Sequence, residues 1–277
     1  MLERLNSQIY YYYYKIFINR SYRNRTVYGR DESFSYETLL GGLNIPHGSK
    51  VFIHAGIKSI KGLSGDNSVD VVKNLINTIK QEYSPNAIIA PAFTPSFRTS
   101  GIYSKMYSKA EYGAFAEIFR GQAHYRTDDA IHGCSIITED IKQFVSLDYN
   151  ESFGKNGFYN SLDQDTYILN VSTNYFVSTY LHYLENDLCV PYKKMAPKWC
   201  GVMLTEENQA EEKEQINHAY YYNTVINRDK LISKLRKKQV IVESEHCGVS
   251  VSAISVRKLD EIIRSEIVKN PYFLVTL

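Results

Sequence analysis

Two short apolar runs separated by an amphipathic stretch constrain the fold more than any other feature of the sequence. The runs lie at residues 50–54 and 87–90, and turn-forming residues border both of them. Between them, apolar residues recur at helical spacing over positions 66–82, where Asp66 or Ser68 can serve as the N-cap. Strand, helix and strand in this order predict a βαβ unit, in which the two strands pair in parallel.

The remainder of the chain carries further patterns of the same two kinds. Helical spacing is present at 35–40, 111–120, 176–186, 230–236 and 255–268, and strand-like runs lie at 135–137 and 166–171. We therefore predict an α/β fold, with a central mixed, mostly parallel sheet that is flanked by helices on both faces.

A single domain is expected over residues 35–277, with a charged insertion near 205–216 that lacks any apolar period and is predicted to be a solvated excursion. Residues 1–34 form a Tyr-rich extension with five consecutive tyrosines at 10–14. Such a segment either packs on the main domain or a partner subunit, or attaches to a membrane surface through its aromatic rings.

Charge and cysteine content narrow the classes of function. The chain has 32 basic and 30 acidic residues, and this balance argues against a dedicated nucleic-acid binder. Its four cysteines are widely spaced, which favours reduced thiols in a cytoplasmic protein over a disulfide framework or a zinc site. No apolar run reaches the roughly 18–20 residues that a membrane-spanning helix needs, so we expect no transmembrane segment.

Four segments, taken in order, resemble the aminoglycoside 3-N-acetyltransferase family. They are VFIHAGIKSIKGL at 51–63, APAFTPSF at 90–97 with continuations at 112–120 and 126–135, the segment 151–172, and STYLHYLENDLCVPYK at 178–193. The last is similar to the family's Thr-x-x-His-x-x-Glu followed by Val-Pro-Tyr-Arg. The resemblance implies a non-GNAT acetyltransferase fold, acetyl-CoA (coenzyme A) as co-substrate without a metal, and an amine on an amino sugar as the acetyl acceptor.

The resemblance assigns catalytic roles to His182, Glu185 and Thr179. The chemistry of the reaction supports the role of His182, because acyl transfer to an amine needs a base that removes a proton from the ammonium form. His182 and Glu185 are spaced i and i+3 on a predicted helix, so a carboxylate can orient the imidazole. An isolated His-x-x-Glu is more often a packed histidine beside a surface carboxylate. Thr179 can either bond a reacting group or begin the helix.

The loop after the first strand has the components of an anion-binding site, with small residues, a hydroxyl and lysines. By itself such a loop is more often an ordinary basic turn. With the resemblance, we expect coenzyme A to contact His54, Ala55, Gly56, Ile57, Lys58 and Ser59. The family's His-Ser-Ser is His54-Ala55-Gly56 in this chain, which removes two hydroxyl groups.

The resemblance also suggests residues for the acceptor site, which are Thr94, Ser96, Phe97, Asp129, His132 and Tyr192. For Asp129 and His132, the alternative is that they only order their loop. The preferred acceptor is a nucleotide-linked amino sugar for surface polysaccharide synthesis, because the matching segments lack the acidic cluster that a polycationic aminoglycoside needs.

Other functions stay open at this point. They are acetylation of an aminoglycoside antibiotic, and a catalytically inactive relative that acts as a binding subunit. A thioester hydrolase is disfavoured, since the chain has no Gly-x-Ser-x-Gly motif. The expected partner is a small-molecule acceptor rather than a nucleic acid, and a homodimer is a possible assembly.

Overall fold

A seven-stranded sheet forms the centre of the protein in a computed structural model that describes residues 33–173, 175–207, 209–221 and 224–276. The tyrosines at 10–14 therefore lie outside the described residues. The described residues form strands in this sheet and in two smaller sheets. In chain order they are β1 (Lys50–Ala55), β2 (Ala87–Pro91), β3 (Ile102–Ser104), β4 (Tyr125–Arg126), β5 (Cys134–Thr138), β6 (Thr166–Val171), β7 (Lys193–Leu204), β8 (Ala210–Tyr220), β9 (Val225–Ile226), β10 (Val242–His246), β11 (Val249–Ser255) and β12 (Val275–Thr276).

Helices connect these strands and cover the sheet. They are α1 (Tyr36–Leu40), α2 (Lys58–Ser64), α3 (Ser68–Tyr83), α4 (Phe97–Ser100), α5 (Ala114–Arg120), α6 (Lys142–Val145), α7 (Tyr180–Asp187), α8 (Arg228–Lys237) and α9 (Val256–Lys269), with a 3-10 turn at Phe158–Ser161. The predicted N-cap of α3 was wrong by one residue. Asn67 caps this helix, because its side chain accepts hydrogen bonds from the backbone N–H groups of Val69 and Asp70.

The strand order of the central sheet is β10-β11-β6-β1-β2-β5-β4. Strand β1 pairs in parallel with β2 and with β6, so the predicted βαβ unit is confirmed. The other four pairings in this sheet are antiparallel. The predicted α/β class is confirmed, but the prediction of a mostly parallel sheet was wrong. For β10 and β11 the short connection is the reason, because a tight turn can join only antiparallel neighbours.

Side chains of β1 alternate between two apolar cores, one on each face of the sheet. Phe52 packs into the core that contains Leu184 of α7 and Ile263 of α9. Its neighbours Val51 and Ile53 enter the opposite core, which α3 covers with apolar residues such as Leu75. A central strand that is buried on both sides needs helices on both faces of the sheet, and the prediction of such helices is confirmed.

The charged segment that follows β7 was predicted to be a solvated excursion, and this prediction was wrong. The segment forms the second strand of a long hairpin. Strand β8 pairs with β7 over nearly its whole length, and β3 completes a three-stranded sheet. Two of its polar side chains, Lys213 and Gln215, are buried, and both bond to residues 149–152. Sequence periodicity misses this strand because its buried side is polar.

Gly56 follows β1 where the chain passes very close to the end of β6. Its N–H donates to the carbonyl oxygen of Val171 at 2.9 Å. A Cβ atom at Gly56 would lie 2.5 Å from the carbonyl oxygen of Ser172, which is much closer than real contacts allow. The missing side chain thus serves the approach of two loops at the carboxyl ends of neighbouring parallel strands.

We expect Gly56→Ala to lower the free energy of unfolding by about 1–3 kcal/mol, because one of the two loops must move. Urea unfolding monitored by circular dichroism measures this change. The matched control is Gly42→Ala, whose added Cβ meets open space. Equal stability of the two variants would contradict a close approach at Gly56.

Candidate active site

Helix α7 places His182 and Glu185 on one face, as their i and i+3 spacing predicts. The distance from His182 Nδ1 to Glu185 Oε2 is 3.1 Å. Thr179 occupies the N-cap position of α7, where its backbone carbonyl accepts a hydrogen bond from the His182 N–H but its side chain forms no cap. Thr179 is buried and its side chain interacts with Tyr159. The three predicted catalytic residues therefore lie together in the structure.

Glu185 is only 1% exposed, and a buried carboxylate needs donors. Lys193 Nζ lies 3.1 Å from Glu185 Oε2, and the Tyr220 hydroxyl donates to the same oxygen at 2.7 Å. Burial alone would raise the pKa of Glu185, but His182, Lys193 and Tyr220 outweigh it and lower the pKa to about 2. We call His182, Glu185, Lys193 and Tyr220 the His182 cluster.

Aromatic and histidine rings surround the His182 cluster. Phe153 meets His182 edge-on, with ring centroids 5.5 Å apart, and contacts His132 at 4.8 Å. Burial lowers the pKa of His132 well below its usual value, and the charges of His182, Arg98, Lys193 and His218 lower it further. His132 is therefore neutral, and its Nδ1 is buried without a hydrogen-bond partner among the described residues.

The carboxylate of Asp129 is bonded within its own loop and to a neighbouring residue. Its carboxylate accepts the backbone N–H groups of Ile131 and His132 at 2.9 and 2.7 Å, and also the Ser152 hydroxyl. Burial raises the pKa of Asp129 although these hydrogen bonds oppose the shift. Of the two alternatives for this residue, loop ordering is the one that the contacts support.

The other residues predicted for the acceptor site divide into two groups. Tyr192 is buried and its ring stacks on Tyr220 of the His182 cluster, 6.2 Å between centroids. Thr94 instead accepts a hydrogen bond from the buried guanidinium of Arg126, and Phe97 is 1% exposed in a small core with Tyr103 and Met203. Ser96 is exposed, and its backbone N–H donates to Glu111. Acceptor contacts of these last three residues stay predictions without support from their surroundings.

The predicted cofactor loop begins at the carboxyl end of β1. His54 and Ile57 are buried, Ala55 and Gly56 are half-buried, Lys58 is exposed and Ser59 lies in the first turn of α2. Burial lowers the pKa of His54 to about 4, so its ring is neutral. Its Nε2 is buried and unpartnered among the described residues. Of these six residues, Lys58 is the one whose charged side chain is open to solvent.

A cavity of about 690 Å³ opens beside this loop. Ser59 lines it together with Ser172 after β6, Tyr175, Arg228 of α8 and Ser250 of β11. Its position at the carboxyl ends of β1 and β6 is where parallel sheets commonly bind ligands, and its volume suits a small-molecule site. The walls do not include the His182 cluster, and residues 175–179 connect the cavity to the start of α7.

Two residues of the His182 cluster were missed by sequence reasoning. Lys193 directly follows the Val-Pro-Tyr motif, where the family has Arg, so the resemblance could have indicated it. Tyr220 belongs to a run of three tyrosines at 220–222 whose placement the sequence does not reveal. Phe153 was also missed, although it lies within a segment of the resemblance.

The comparison with protein families agrees with this geometry. The model of the family described as aminoglycoside 3-N-acetyltransferase matches residues 52–266. This chain therefore belongs to the aminoglycoside 3-N-acetyltransferase family, and the sequence-based recognition is confirmed. A comparison with curated protein sequences finds no match.

Solved structures with the same fold are distant in sequence. The YokD protein from Bacillus subtilis has a TM-score of 0.70 at 14% identity, over 89% of this chain and 97% of that chain. The aminoglycoside acetyltransferase AAC(3)-IVa apoenzyme has a TM-score of 0.68 at 14% identity, over 90% and 94%. The AAC-IIIb binary structure with CoASH has a TM-score of 0.68 at 12% identity, over 85% and 95%.

Family membership defines the class of reaction. The protein is an acetyl-CoA-dependent N-acetyltransferase, which moves an acetyl group from acetyl-CoA to an amino group. The described residues include no group of three or more His, Cys, Asp or Glu side chains that could hold a metal ion. No helix in this part of the chain is long and apolar enough to cross a membrane.

The low pKa of Glu185 predicts an acid-dependent loss of stability. Because the folded pKa, about 2, lies below the ordinary value of 4.5, this group stabilises the protein fully above pH ~4.5 and loses the effect as pH falls towards ~2. Between about pH 5 and pH 2, we expect wild-type protein to lose on the order of 2–3 kcal/mol more unfolding free energy than Glu185→Gln. Urea titrations at several pH values give this difference.

The control for this measurement is Glu261→Gln, which neutralises an exposed carboxylate on α9. Its acid dependence should follow that of the wild type. If Glu185→Gln also follows the wild type, then the folded protein does not hold Glu185 as a stabilised carboxylate.

Proposed function

We propose that the protein acetylates the amine of a nucleotide-linked amino sugar, with His182 as the general base. The observation that carries the catalytic part is the His182 cluster, a histidine in contact with a buried and ionised carboxylate. A carboxylate at this position orients an imidazole and stabilises the positive charge that the ring acquires when it takes a proton. An inactive relative would have no need to keep this arrangement intact.

The chemistry follows from the proton balance of the reaction. His182 takes one proton from the acceptor ammonium, and the neutral nitrogen then attacks the carbonyl carbon of the acetyl thioester. The C–N bond forms, the C–S bond breaks, and the departing thiolate takes the second proton that the nitrogen loses as it becomes an amide, so coenzyme A leaves as a free thiol. The first proton passes from His182 to solvent. Glu185 stays ionised throughout, because its pKa of about 2 is far below neutral pH.

The loop after β1 and the neighbouring cavity suit acetyl-CoA as co-substrate. Lys58 and Lys61 are exposed beside the loop and can pair with phosphate groups, and Ser59 in the cavity wall can donate a hydrogen bond. Arg228 offers a further cation, and its guanidinium lies 3.9 Å above the ring of Tyr175. When bound there, acetyl-CoA supplies the activated acetyl group, and residues 175–179 lead from the cavity to His182.

Electrostatics around the His182 cluster favour an anionic acceptor over a polycationic aminoglycoside. Two buried carboxylates in this region already have partners, since Glu185 pairs with Lys193 and Asp129 accepts three donors. A polycation needs several uncommitted carboxylates. By contrast, Arg98 acts on the buried ring of His132 as a positive charge. A pyrophosphate-bearing sugar fits this balance.

We expect His182→Ala to lower kcat by at least roughly a hundredfold, because general-base catalysis contributes about 10²–10⁴. The assay measures release of the coenzyme A thiol from acetyl-CoA in the presence of an amine acceptor. His47→Ala is the control, since His47 is exposed in the turn that precedes β1, whereas the cofactor loop follows the other end of this strand. A folded His182→Ala protein that keeps more than half of the activity would exclude His182 as the base.

The acceptor class is tested by the same assay with a panel of amines. We expect a nucleotide-linked amino sugar, such as UDP-glucosamine or an analogue with the amine at another ring position, to exceed free glucosamine and sisomicin in kcat/KM by about tenfold or more. One charged contact of 1.5 kcal/mol or more accounts for this factor. Faster turnover of sisomicin than of every nucleotide-linked sugar would instead favour an aminoglycoside acceptor.

A further inference from the structure

The hairpin of β7 and β8 delivers two side chains to Glu185 from outside its own helix. Lys193 and Tyr220 are register partners at the base of this hairpin. Residues directly opposite each other on antiparallel strands project to the same face of the sheet. Both side chains therefore reach the same carboxylate oxygen, Glu185 Oε2, at 3.1 and 2.7 Å.

Tyr220 also contacts the histidine. Its hydroxyl oxygen lies 2.9 Å from His182 Nδ1, which is shorter than the direct distance of 3.1 Å between His182 Nδ1 and Glu185 Oε2. The hydroxyl group is thus bonded to the carboxylate on one side and to the imidazole on the other.

The number of protons available decides the direction of each hydrogen bond. Lysine only donates, and an ionised carboxylate only accepts, so Glu185 Oε2 receives bonds from Lys193 and from the Tyr220 hydroxyl. The single proton of Tyr220 is then in use. The remaining contact between Tyr220 and His182 is a hydrogen bond only if His182 Nδ1 carries a proton and donates it.

The tautomer of His182 that carries its proton on Nε2 does not satisfy these contacts. An unprotonated Nδ1 would direct its lone pair at Glu185 Oε2, and it would compete with this oxygen for the one proton of Tyr220. Burial raises the pKa of Tyr220 well above its usual value, and the charge of Glu185 raises it further. Tyr220 therefore stays a neutral hydroxyl that can donate and accept at the same time.

We propose that Tyr220 is a positioning residue that bridges His182 and Glu185, so that the neutral imidazole carries its proton on Nδ1 and keeps Nε2 free. The role rests on the proposed function of His182 as the base, since only a free Nε2 lone pair can accept the proton of the acceptor. Glu185 Oε2 already accepts bonds from Lys193 and Tyr220, and the contact of His182 Nδ1 with the Tyr220 hydroxyl, at 2.9 Å, is shorter than its contact with this oxygen, at 3.1 Å.

Nuclear magnetic resonance of the protein labelled with ¹⁵N-histidine tests this proposal without acetyl-CoA or an acceptor. Two-bond correlations between the ring nitrogens and the carbon-bound ring protons distinguish the two tautomers, and His182→Ala identifies the signals among the seven histidines. We expect the neutral His182 ring of the wild type to be mainly protonated on Nδ1. Tyr220→Phe should shift the tautomer ratio towards Nε2–H by roughly fivefold to tenfold, the effect of one lost hydrogen bond.

The matched control is Tyr221→Phe, which removes the hydroxyl of the exposed neighbouring tyrosine and should leave the ratio unchanged. A wild-type ring protonated mainly on Nε2 overturns the proposal before any variant is made. An unchanged ratio in folded Tyr220→Phe, or an equal shift in Tyr221→Phe, overturns it as well. The activity of His182→Ala is a separate measurement, so loss of the proposed function and loss of the bridge are distinguishable.

Discussion

The buried carboxylate of Glu185 is the constraint on which the candidate site depends. An ion in the protein interior without partners is unfavourable by several kcal/mol, so the fold must bring donors to it. His182 comes from the same helix, but Lys193 and Tyr220 come from the hairpin of β7 and β8. Satisfying this one charge therefore ties α7 to the hairpin and, by the same contacts, orients the imidazole.

A second set of buried polar groups joins the same hairpin to the loop that carries His132. Gln215 of β8 accepts the N–H of Ala130 and donates to Ser152, whose hydroxyl binds Asp129. Buried polar networks of this kind are stabilising only when each member has a partner. Through these bonds, the mostly polar strand β8 contacts both Glu185 of α7 and the loop that carries His132.

Much of the fold was predictable because its signals are local. The β1–α3–β2 unit and the central strand β6 show apolar periods that single segments reveal by themselves. Strands β10 and β11 were not foreseen, and the strand that places their hairpin in the central sheet, β6, lies far away in the chain. This is why the predicted sheet was too parallel. Strand β8 was missed for a different reason, because Lys213 and Gln215 are polar although they are buried.

The candidate site likewise has a part that the sequence predicts and a part that it does not. The sequence by itself determined that His182 and Glu185 lie on one helical face, because the spacing of i and i+3 is a property of the helix alone. It also determined the family, through motifs that are contiguous in the chain. Only the tertiary structure decided that Tyr220 and Lys193 join this pair, that Asp129 serves its loop, and that Thr94 lies in the network of Arg126. The contacts of Tyr220 with His182 and of Thr94 with Arg126 join residues more than thirty positions apart, where burial and pairing, rather than local geometry, select the neighbours.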